Sequence, residues 1–415
     1  MGAVRKKWIS SFLVVTFLIG MLSIQGCATM HPRHALPIDF DGKVTISGMS
    51  DIRTDIDNPD PVVMQKSLID SFKQEGFVNP LGIKIYPVLA VSGGGANGAY
   101  GAGLLKGWSK EGSRPIFKII TGVSSGSIIA LYTFLGKDYD EQLEKFFTTQ
   151  STKDVVKQNN FLSILFGNSL MSSAPLAKKI SSIVDGKLMA NVAEEHKRGR
   201  RLFIGTVNLD AQEFVVWDMG ALACKGGSDS LKMFRKILLA SCSLPMTVPP
   251  VFFKVTSATG ELYDEMHVDG GTIRGVFYID RLTKNMEGAA KVFGIDPSKY
   301  RPKIYILNNT YMSPIRQQVK DDLIGISMRS LDTVVAAANN GDIYRLYAIA
   351  KRRGLDFNLA YIPSDFKPNP KELFDKNEMQ RLFKRGYDDA INGYNWHKTP
   401  PGYEAEDEVA KKPNK

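Results

Sequence analysis

The sequence predicts an α/β fold with a largely parallel sheet, and two repeated patterns support that prediction. Residues 88–91 are a brief apolar run that ends in Ser92 and three glycines, as in a buried parallel strand that enters a tight turn. Residues 117–123 are a second apolar run of the same kind. Each run precedes a segment of helical character, residues 97–110 and 125–135. Two strand–turn–helix units in close succession are typical of folds in which strands and helices alternate.

The start of the chain predicts export and lipid attachment. Basic residues 5–7 precede an apolar run over residues 8–21, and a glycine comes directly before Cys27. The pattern resembles a bacterial lipoprotein signal, in which Cys27 is lipidated and becomes the first residue of the mature chain. An ordinary secretory signal or a single membrane helix is the alternative, although the apolar run is short for a membrane span. Because Ala28 rather than aspartate follows the cysteine, the resemblance implies an anchor in the outer membrane, facing the periplasm.

The chain is expected to divide into four parts. Residues 1–26 are the signal peptide, and residues 27–60 are a tether with several prolines and aspartates and little apolar periodicity. Residues 61–396 form the domain with its C-terminal helices. Residues 397–415 are a charged, proline-containing tail that is expected to be disordered.

Charge and cysteine content exclude some classes of function. The formal net charge of +10 falls to +7 without the signal peptide, which carries three basic residues and no acidic one. No basic run is dense enough to indicate nucleic-acid binding, and a mild attraction to anionic lipid is the most that follows. Cys224 and Cys242 lie in no Cys-x-x-Cys or histidine cluster, so a metal site is not expected, and whether they pair remains open.

Apolar spacing and turn signals predict the elements downstream. Further helices are predicted over residues 62–76, 140–148, 174–184, 231–240 and 379–391, and further strands over residues 201–208, 213–217, 262–268 and 303–307. Residues 243–251 hold three prolines and predict a rigid, extended loop. The apolar cluster at residues 161–166 is expected to pack on the core, with a lid or lipid-contacting surface as the alternative.

One more helix is predicted near the end of the chain. Its apolar face consists of Ile324, Met328, Leu331, Val335 and Ala338. This face continues over residues 343–350 after an expected break at residues 339–341. Apolar faces of this kind usually pack on a core, so both halves are predicted to be core-facing.

Ser124 is the candidate nucleophile. It lies in Gly-x-Ser-x-Gly, with Gly122 and Gly126, between an apolar strand and a helical run, which is the context of a serine on a sharp strand-to-helix turn. The glycines avoid Cβ clashes at the bend, and the helix N-terminus favours negative charge nearby. A serine that merely caps the helix is the structural alternative.

A nucleophilic serine also needs an anion site. The turn Gly93-Gly94-Gly95, with Gly98 following, can expose successive backbone N–H groups to a tetrahedral oxyanion. Such a loop also suits a mononucleotide, but the Gly-Lys-Ser/Thr ending of a P-loop is missing.

The base is predicted to be Asp269 rather than a histidine. Four of the five histidines lie in poor places for catalysis, in the tether, a charged helix end or the tail: His31, His34, His196 and His397. His267 is expected to pack beside Asp269 rather than complete a triad. Asp269 ends a predicted strand before Gly270 and Gly271, and a carboxylate within hydrogen-bond reach can accept the serine proton directly. A turn-capping aspartate is the alternative.

These motifs, in this order and spacing, resemble the patatin-like phospholipases. The similarity extends to residues 240–250 and the strand near residues 206–210, so it covers roughly residues 88–309. It implies a three-layer α/β/α sandwich with a mainly parallel central sheet, and a Ser-Asp dyad without metal or organic cofactor. In that family Ser124 corresponds to the nucleophile, Asp269 to the base and the backbone of Gly93, Gly94 and Gly95 to the oxyanion hole. Asn97 departs from the Arg or Lys often found there, and Ser92 is a second departure that is expected to matter little.

The leading functional hypothesis is a serine acyl hydrolase of phospholipids or other acyl lipids, of phospholipase A or lysophospholipase/esterase type, held at the membrane by its lipid anchor. The alternative is a catalytically weak lipid-binding or scaffolding lipoprotein, which the missing charge at Asn97 keeps open. A serine peptidase is disfavoured because no histidine or lysine is evidently placed beside Ser124.

Overall fold

A computed structural model describes most of the chain. It covers residues 33–57 apart from 41, 47 and 50, residues 67, 70 and 71, and residues 85–160, 163–164, 167–280 and 301–403. Cys27, most of the helix predicted over residues 62–76 and most of the apolar cluster at residues 161–166 lie outside the described residues.

The strands form one large sheet and a small hairpin. They are β1 (Val44–Thr45), β2 (Arg53–Asp55), β3 (Ile85–Val91), β4 (Ile119–Val123), β5 (Lys157–Gln158), β6 (Met171–Ser172), β7 (Arg201–Asn208), β8 (Glu213–Asp218), β9 (Val251–Ser257), β10 (Leu262–Asp269), β11 (Arg301–Tyr311) and β12 (Asp356–Ile362). The large sheet has the order β1-β9-β10-β7-β4-β3-β11-β12, with β8 paired to β7 and β2 paired to β8. Strands β5 and β6 form the hairpin.

Five neighbouring strands of the sheet are parallel. β7, β4, β3, β11 and β12 pair in that order, all in the same direction. Val91 is opposite Gly122, and Val123 is opposite Gly205, so the carboxyl ends of β3 and β4 meet at one edge. Turns that follow parallel strands at such an edge are the usual place for a binding or active site.

The helices lie on both faces of the sheet. They are α1 (Gly98–Glu111), α2 (Ser125–Leu135), α3 (Asp140–Thr148), α4 (Thr152–Val155), α5 (Ala174–Ile183), α6 (Gly186–Lys197), α7 (Met219–Lys225), α8 (Gly227–Ser241), α9 (Leu323–Arg353) and α10 (Lys376–Ala390). Alternate residues of the central strands enter two separate apolar cores. One core includes Leu89 and Ile120 with residues of α1, α2 and α8, and the other includes Val88 with the second half of α9. The predicted three-layer α/β/α architecture is confirmed.

Several elements match the sequence prediction closely, whereas others differ. The helices over residues 125–135 and 140–148 and the strand over residues 201–208 have the predicted bounds. Strands β9 and β12 were not predicted. β9 begins at the end of the proline-rich loop, and its burial alternates along the strand as expected for a strand with one covered face.

The prediction for α9 is wrong in two respects. The helix runs through residues 339–341 without a break. Its first half does not enter the core: Ile324 is exposed, and the rest of the predicted face is only partly buried, namely Met328, Leu331, Val335 and Ala338. The helix continues because Asn339 and Asp342 lie on its buried face and are hydrogen-bonded there: the Asn339 amide donates to Asn308 at 2.9 Å, and Asp342 accepts from the N–H of Gly275 at 2.8 Å.

The segment predicted as a tether contributes two short strands to the sheet, β1 and β2. β1 pairs with β9, and β2 pairs with β8. The Arg33 guanidinium donates to Asp264 at 2.8 Å and to Asp210 at 2.9 Å. The prediction of an irregular tether over residues 27–60 is therefore wrong for the described residues, which have hydrogen-bonded partners more than a hundred residues away.

The start of the predicted tail is also ordered. His397 exchanges two backbone hydrogen bonds with Leu359 of β12, at 2.9 and 3.0 Å. Its ring stacks on Tyr361, and the carbonyl of Pro401 accepts a hydrogen bond from Tyr344. Residues 397–403 therefore belong to the folded domain.

Two further observations concern the membrane and the cysteines. Among the described residues, none of the helices combines the length and the apolar character that crossing a bilayer requires. Cys224 and Cys242 are both free thiols, so they do not pair with each other.

Candidate active site

Ser124 lies on a strained turn between β4 and α2. Its φ is 55°, and only two other non-glycine residues in the described part of the chain have a positive φ. Strain of this kind persists where the surroundings fix it, and it is concentrated at functional sites. Gly126 permits the bend, because a Cβ there would overlap the carbonyl oxygen of Ser92.

Hydrogen bonds fix the turn to the neighbouring elements. The backbone N–H of Ser124 donates to the hydroxyl oxygen of Ser241, at the end of α8, at 3.0 Å. The Ser241 hydroxyl donates in turn to the carbonyl of Gly205 on β7 at 2.8 Å. The serine backbone is therefore attached to a helix and a strand that are not adjacent to it in sequence.

Asp269 lies next to Ser124 at the end of β10. β10 pairs with β7 so that Asp269 is opposite Thr206, one residue beyond the position where β7 pairs with Val123. The Ser124 hydroxyl lies close enough to the Asp269 carboxylate to favour its charged form and so to lower its pKa. The N–H of Gly271 donates to the same carboxylate at 2.8 Å. Sequence reasoning named both members of this pair, and the fold places them in contact.

The carboxyl group of Asp269 is an unusually weak acid. Its side chain is buried, and the residue is only 3% exposed. Burial raises the pKa of Asp269 to about 7, although the nearby Ser124 hydroxyl and the hydrogen bond from the N–H of Gly271 oppose the rise. A group with a pKa near neutrality can both accept and return a proton at neutral pH.

His267 does not approach the serine as a base. Its Nδ1 lies 2.9 Å from the hydroxyl of Thr206, and its Nε2 lies 3.2 Å from the carboxylate of Glu265. The ring is fully buried, and burial lowers the pKa of His267. The expectation that His267 packs beside Asp269 is confirmed.

The glycine turn lies directly beside Ser124, but one of its three N–H groups is occupied. A Cβ built on Gly93 would lie 3.7 Å from the Ser124 hydroxyl oxygen. The N–H of Gly93 donates to the carbonyl of Gly275 at 3.0 Å, so it is not free to bind an oxyanion. The N–H groups of Gly94 and Gly95 have no hydrogen-bond partner among the described residues. The structure therefore speaks against Gly93 as an oxyanion donor, and Gly94 and Gly95 remain the candidates.

Gly94 has no room for a side chain. Its φ is 152°, and a Cβ would overlap the backbone carbonyl of Asn309. Gly95 differs: its φ of 56° is left-handed, but a Cβ there would meet no atom within 4 Å. Both glycines are part of a surface that is partly open to solvent.

Ser92 and Asn309 support the glycine turn from below. The Ser92 hydroxyl accepts a hydrogen bond from the N–H of Asn309 at 2.7 Å and donates to the carbonyl of Gly93 at 2.7 Å. The Asn309 amide donates to the carbonyl of Ser92 at 2.9 Å. Both residues are fully buried. The expectation that Ser92 matters little is wrong, because its hydroxyl joins the turn to β11.

Asp342 supports the same turn from α9. Its carboxylate accepts from the N–H of Gly275 at 2.8 Å, and the carbonyl of Gly275 accepts the N–H of Gly93. Burial raises the pKa of Asp342 to about 7. Sequence reasoning missed this residue, although an aspartate on the apolar face of a helix is a signal that could have identified it.

Asn97 lies at the N-cap of α1, partly exposed beside the turn. Its side chain makes no capping hydrogen bond. The position supplies a neutral amide rather than a positive charge, so backbone N–H groups are the donors that this turn offers to an anion.

Comparison with known proteins matches this region to a family. Residues 89–278 match the family described as patatin-like phospholipase. The match contains the glycine turn, Ser124 and Asp269. Residues 89–278 are a patatin-like phospholipase domain. Patatin-like phospholipases are, in general terms, lipid acyl hydrolases.

The other comparisons add little to the patatin-like domain. The crystal structure of VipD from Legionella pneumophila is similar at 10% sequence identity and a TM-score of 0.35. The similarity covers 73% of this chain and 65% of the VipD chain. No curated protein matches the chain at a significant level.

Two supporting residues lie beyond the match to the patatin-like domain. Asn309 and Asp342 follow its last matched residue, yet both contact its glycine turn or the backbone beneath it. Within the described part of the chain, no group of three or more His, Cys, Asp or Glu side chains is placed to hold a metal ion. The polar groups that converge on Ser124 are a carboxylate, a serine hydroxyl and backbone N–H donors.

Proposed function

We propose that the chain is a serine acyl hydrolase that acts on lipid esters through a Ser124–Asp269 dyad. The observation that carries the proposal is the placement of the Ser124 turn beside the buried carboxylate of Asp269, whose pKa burial raises to about 7. A base with a pKa near the working pH removes the proton of an attacking hydroxyl efficiently. The patatin-like match supplies the class of substrate, a lipid ester.

In the proposed first half-reaction, the Ser124 oxygen attacks the ester carbonyl while its proton passes to Asp269. The N–H groups of Gly94 and Gly95 donate to the oxyanion that forms. The carbon–oxygen bond to the leaving alcohol then breaks, Asp269 returns the proton to that alcohol, and the acyl group remains on Ser124.

In the second half-reaction, water attacks the acyl group. Asp269 accepts the proton of the attacking water, and a second oxyanion forms beside Gly94 and Gly95. The bond to Ser124 breaks, the serine oxygen recovers a proton from Asp269, and the fatty acid is released. No step requires a metal or an organic cofactor.

The finer assignments are proposals of the same kind. We place the enzyme in the bacterial cell envelope, lipid-anchored through Cys27 in the outer membrane and facing the periplasm. Its substrates are phospholipids, lysophospholipids or related acyl lipids. Products released from defined phospholipids, lysophospholipids and neutral glycerides, identified by mass spectrometry against a Ser124→Ala control, would distinguish the phospholipase A from the lysophospholipase type.

A fluorophosphonate probe tests the nucleophile. Such probes phosphonylate an activated serine, so wild type should be labelled and Ser124→Ala should not. Ser125→Ala is the matched control: Ser125 is adjacent, and its buried hydroxyl has no partner among the described residues. Labelling that persists in Ser124→Ala, or that disappears in Ser125→Ala alone, would contradict the assignment.

Hydrolysis of short p-nitrophenyl esters tests the base and the alternative function together. Asp269→Asn keeps the shape of the side chain but cannot take the proton, so ester hydrolysis should fall by a factor of about 100 or more. A wild type that binds lipid vesicles but hydrolyses no ester would favour the scaffolding lipoprotein instead. Asn97 and the occupied N–H of Gly93 are the features that favour this second candidate.

A further inference from the structure

The first half of α9 carries an apolar surface that the described domain does not cover. Leu323 is 82% exposed, Ile326 is 50% exposed and Val334 is 62% exposed. Spacings of three and eight residues place these side chains along one stripe of the helix. We call these three residues the apolar stripe. Exposed apolar side chains grouped on one side of a helix favour contact with another apolar phase.

This half of the helix lies beside the candidate active site. A Cβ built on Gly271, two residues after Asp269, would lie 3.9 Å from a methyl group of Val335. The Met328 sulfur lies 4.0 Å from the hydroxyl of Thr247, in the proline-rich loop. At 3.6 residues per turn, Met328 and Val335 lie on the opposite side of α9 from the apolar stripe, so these contacts leave the stripe facing outward. The first half of α9 therefore lies at the edge of the sheet that carries Ser124, with the apolar stripe on its outer side.

The N-terminal end of the described chain lies at the same edge. Arg33 binds Asp210, which comes two residues after β7, and Asp264 of β10. β7 is parallel to β4, so Asp210 is at the carboxyl end of the sheet, as Ser124 is. Arg33 is six positions after Cys27, and a chain of that length spans at most about 20 Å. A lipid on Cys27 would therefore hold this edge of the domain close to the bilayer.

We propose that the apolar stripe of α9 docks on the surface of a phospholipid bilayer and sets the mouth of the Ser124 site against the lipid. The inference rests on the proposed function, because a lipid ester must leave the bilayer to reach Ser124. A bilayer is preferred to a second copy of the chain because the short connection to Cys27 brings it to this edge. Insertion of the three side chains removes apolar surface from water, which stabilises the bound state.

Tryptophan fluorescence tests contact without requiring catalysis. Ile326→Trp is placed in the full-length Ser124→Ala chain and mixed with vesicles of equal parts phosphatidylethanolamine and phosphatidylglycerol with brominated acyl chains. Bromine quenches the fluorescence of indoles that enter the hydrocarbon. The emission of the introduced tryptophan, measured as the excess over the protein with only its native tryptophans, should therefore be quenched. The matched control is Ile116→Trp, because Ile116 is 79% exposed and precedes the amino end of β4, at the opposite edge. Equal quenching of both variants, or none at position 326, would overturn the proposal.

A comparison of hydrolysis rates on vesicles and on a soluble ester separates membrane docking from catalysis at Ser124. The triple variant Leu323→Gln, Ile326→Gln and Val334→Gln should lower the ratio of vesicle hydrolysis to soluble-ester hydrolysis by about tenfold to a hundredfold, from loss of apolar insertion. Ile116→Gln should leave the ratio unchanged. An unchanged ratio in the triple variant would overturn the docking surface, as would a change in its oligomeric state without loss of vesicle contact. Failure of wild type to label at Ser124 would instead remove the proposed function, whatever position 326 reports.

Discussion

The backbone N–H of Ser124 and the hydroxyl of Ser241 form a 3.0 Å hydrogen bond that attaches the strained turn to the end of α8. Ser241→Ala leaves the N–H of Ser124 and the carbonyl of Gly205 without this partner. An unsatisfied buried group costs about 1–3 kcal/mol, so the free energy of unfolding should fall by that amount. Fluorophosphonate labelling should slow as well, because the serine is less firmly oriented.

Ser243→Ala is the control for that comparison. Ser243 lies in the same buried segment, but its hydroxyl donates only to Leu239 in the preceding helical turn, at 2.9 Å. Labelling should be nearly normal in Ser243→Ala. Equal slowing in both variants would show that the Ser124–Ser241 bond has no particular role.

Activity should depend on pH through Asp269. Because burial raises the pKa of Asp269 to about 7, the group is protonated in acid and cannot accept the serine proton. The value of kcat/KM for a soluble ester should therefore rise with pH, with a midpoint near 7. A midpoint near 4, the ordinary range for aspartate, would contradict the raised pKa.

Stability should show the opposite trend. A folded-state pKa above the unfolded value means that the protonated form is favoured by folding, so the contribution of Asp269 is full below its unfolded pKa and is lost as pH rises through 7. The free energy of unfolding of wild type relative to Asp269→Asn should fall by about 1.4 kcal/mol per pH unit between roughly pH 4 and 7. Because the pKa of Asp342 is also raised to about 7, the measurement is repeated in Asp342→Asn to separate the two groups.

Asp342 should act as a positioning residue for the glycine turn. Asp342→Ala removes the acceptor of the Gly275 N–H, and Gly275 in turn holds Gly93. We expect kcat to fall about tenfold or more with little change in KM, since small displacements of an oxyanion site reduce the rate. Steady-state kinetics well below the melting temperature measure both values.

Asp342→Asn keeps an oxygen acceptor for Gly275 and should retain most of the activity. A lower melting temperature for Asp342→Ala with an unchanged kcat would show that Asp342 has only a structural role. Recovery of kcat by the asparagine variant is the result that a merely structural role does not predict.

Gly94 and Gly95 should respond differently to the same substitution. Gly94→Ala places a Cβ in the backbone carbonyl of Asn309, so the turn must move and labelling of Ser124 should be lost. Gly95→Ala meets no atom within 4 Å, and its cost is that of a left-handed alanine, about 1–2 kcal/mol. Thermal unfolding and the labelling rate measure the two effects. Equal loss of Ser124 labelling in both variants would mean that the clash with Asn309 is not its cause.

Local patterns in the sequence predict the core of this site well. The apolar strands, the Gly-x-Ser-x-Gly turn and the Asp-Gly-Gly strand end each depend on a few neighbouring residues, and the fold places Ser124 and Asp269 in contact as their motifs imply. The occupied N–H of Gly93 could not be predicted, because its acceptor, Gly275, is about 180 residues away in sequence and enters through a loop. Asn309 and Asp342 were missed for the same reason, since their roles arise from long-range packing.

The first half of α9 shows a different limit. An apolar face at helical spacing predicts a helix correctly, but it does not indicate what covers that face. Ile343 and Leu346 enter the core, whereas Ile324, at the start of the predicted face, is 50% exposed. Amphipathicity gives the face of a helix, and only the fold shows whether the partner of that face is protein.

The two ends of the chain close the two edges of the sheet. β1 pairs with β9 at one edge, and the backbone of His397 pairs with Leu359 of β12 at the other. Exposed strand edges invite pairing between molecules, and short covering segments prevent it. A protein trimmed to residues 61–396, the limits that composition suggests, would retain Ser124 and Asp269 but uncover both edges. Such a truncated protein should aggregate on expression, because its uncovered strand edges can pair with those of other molecules.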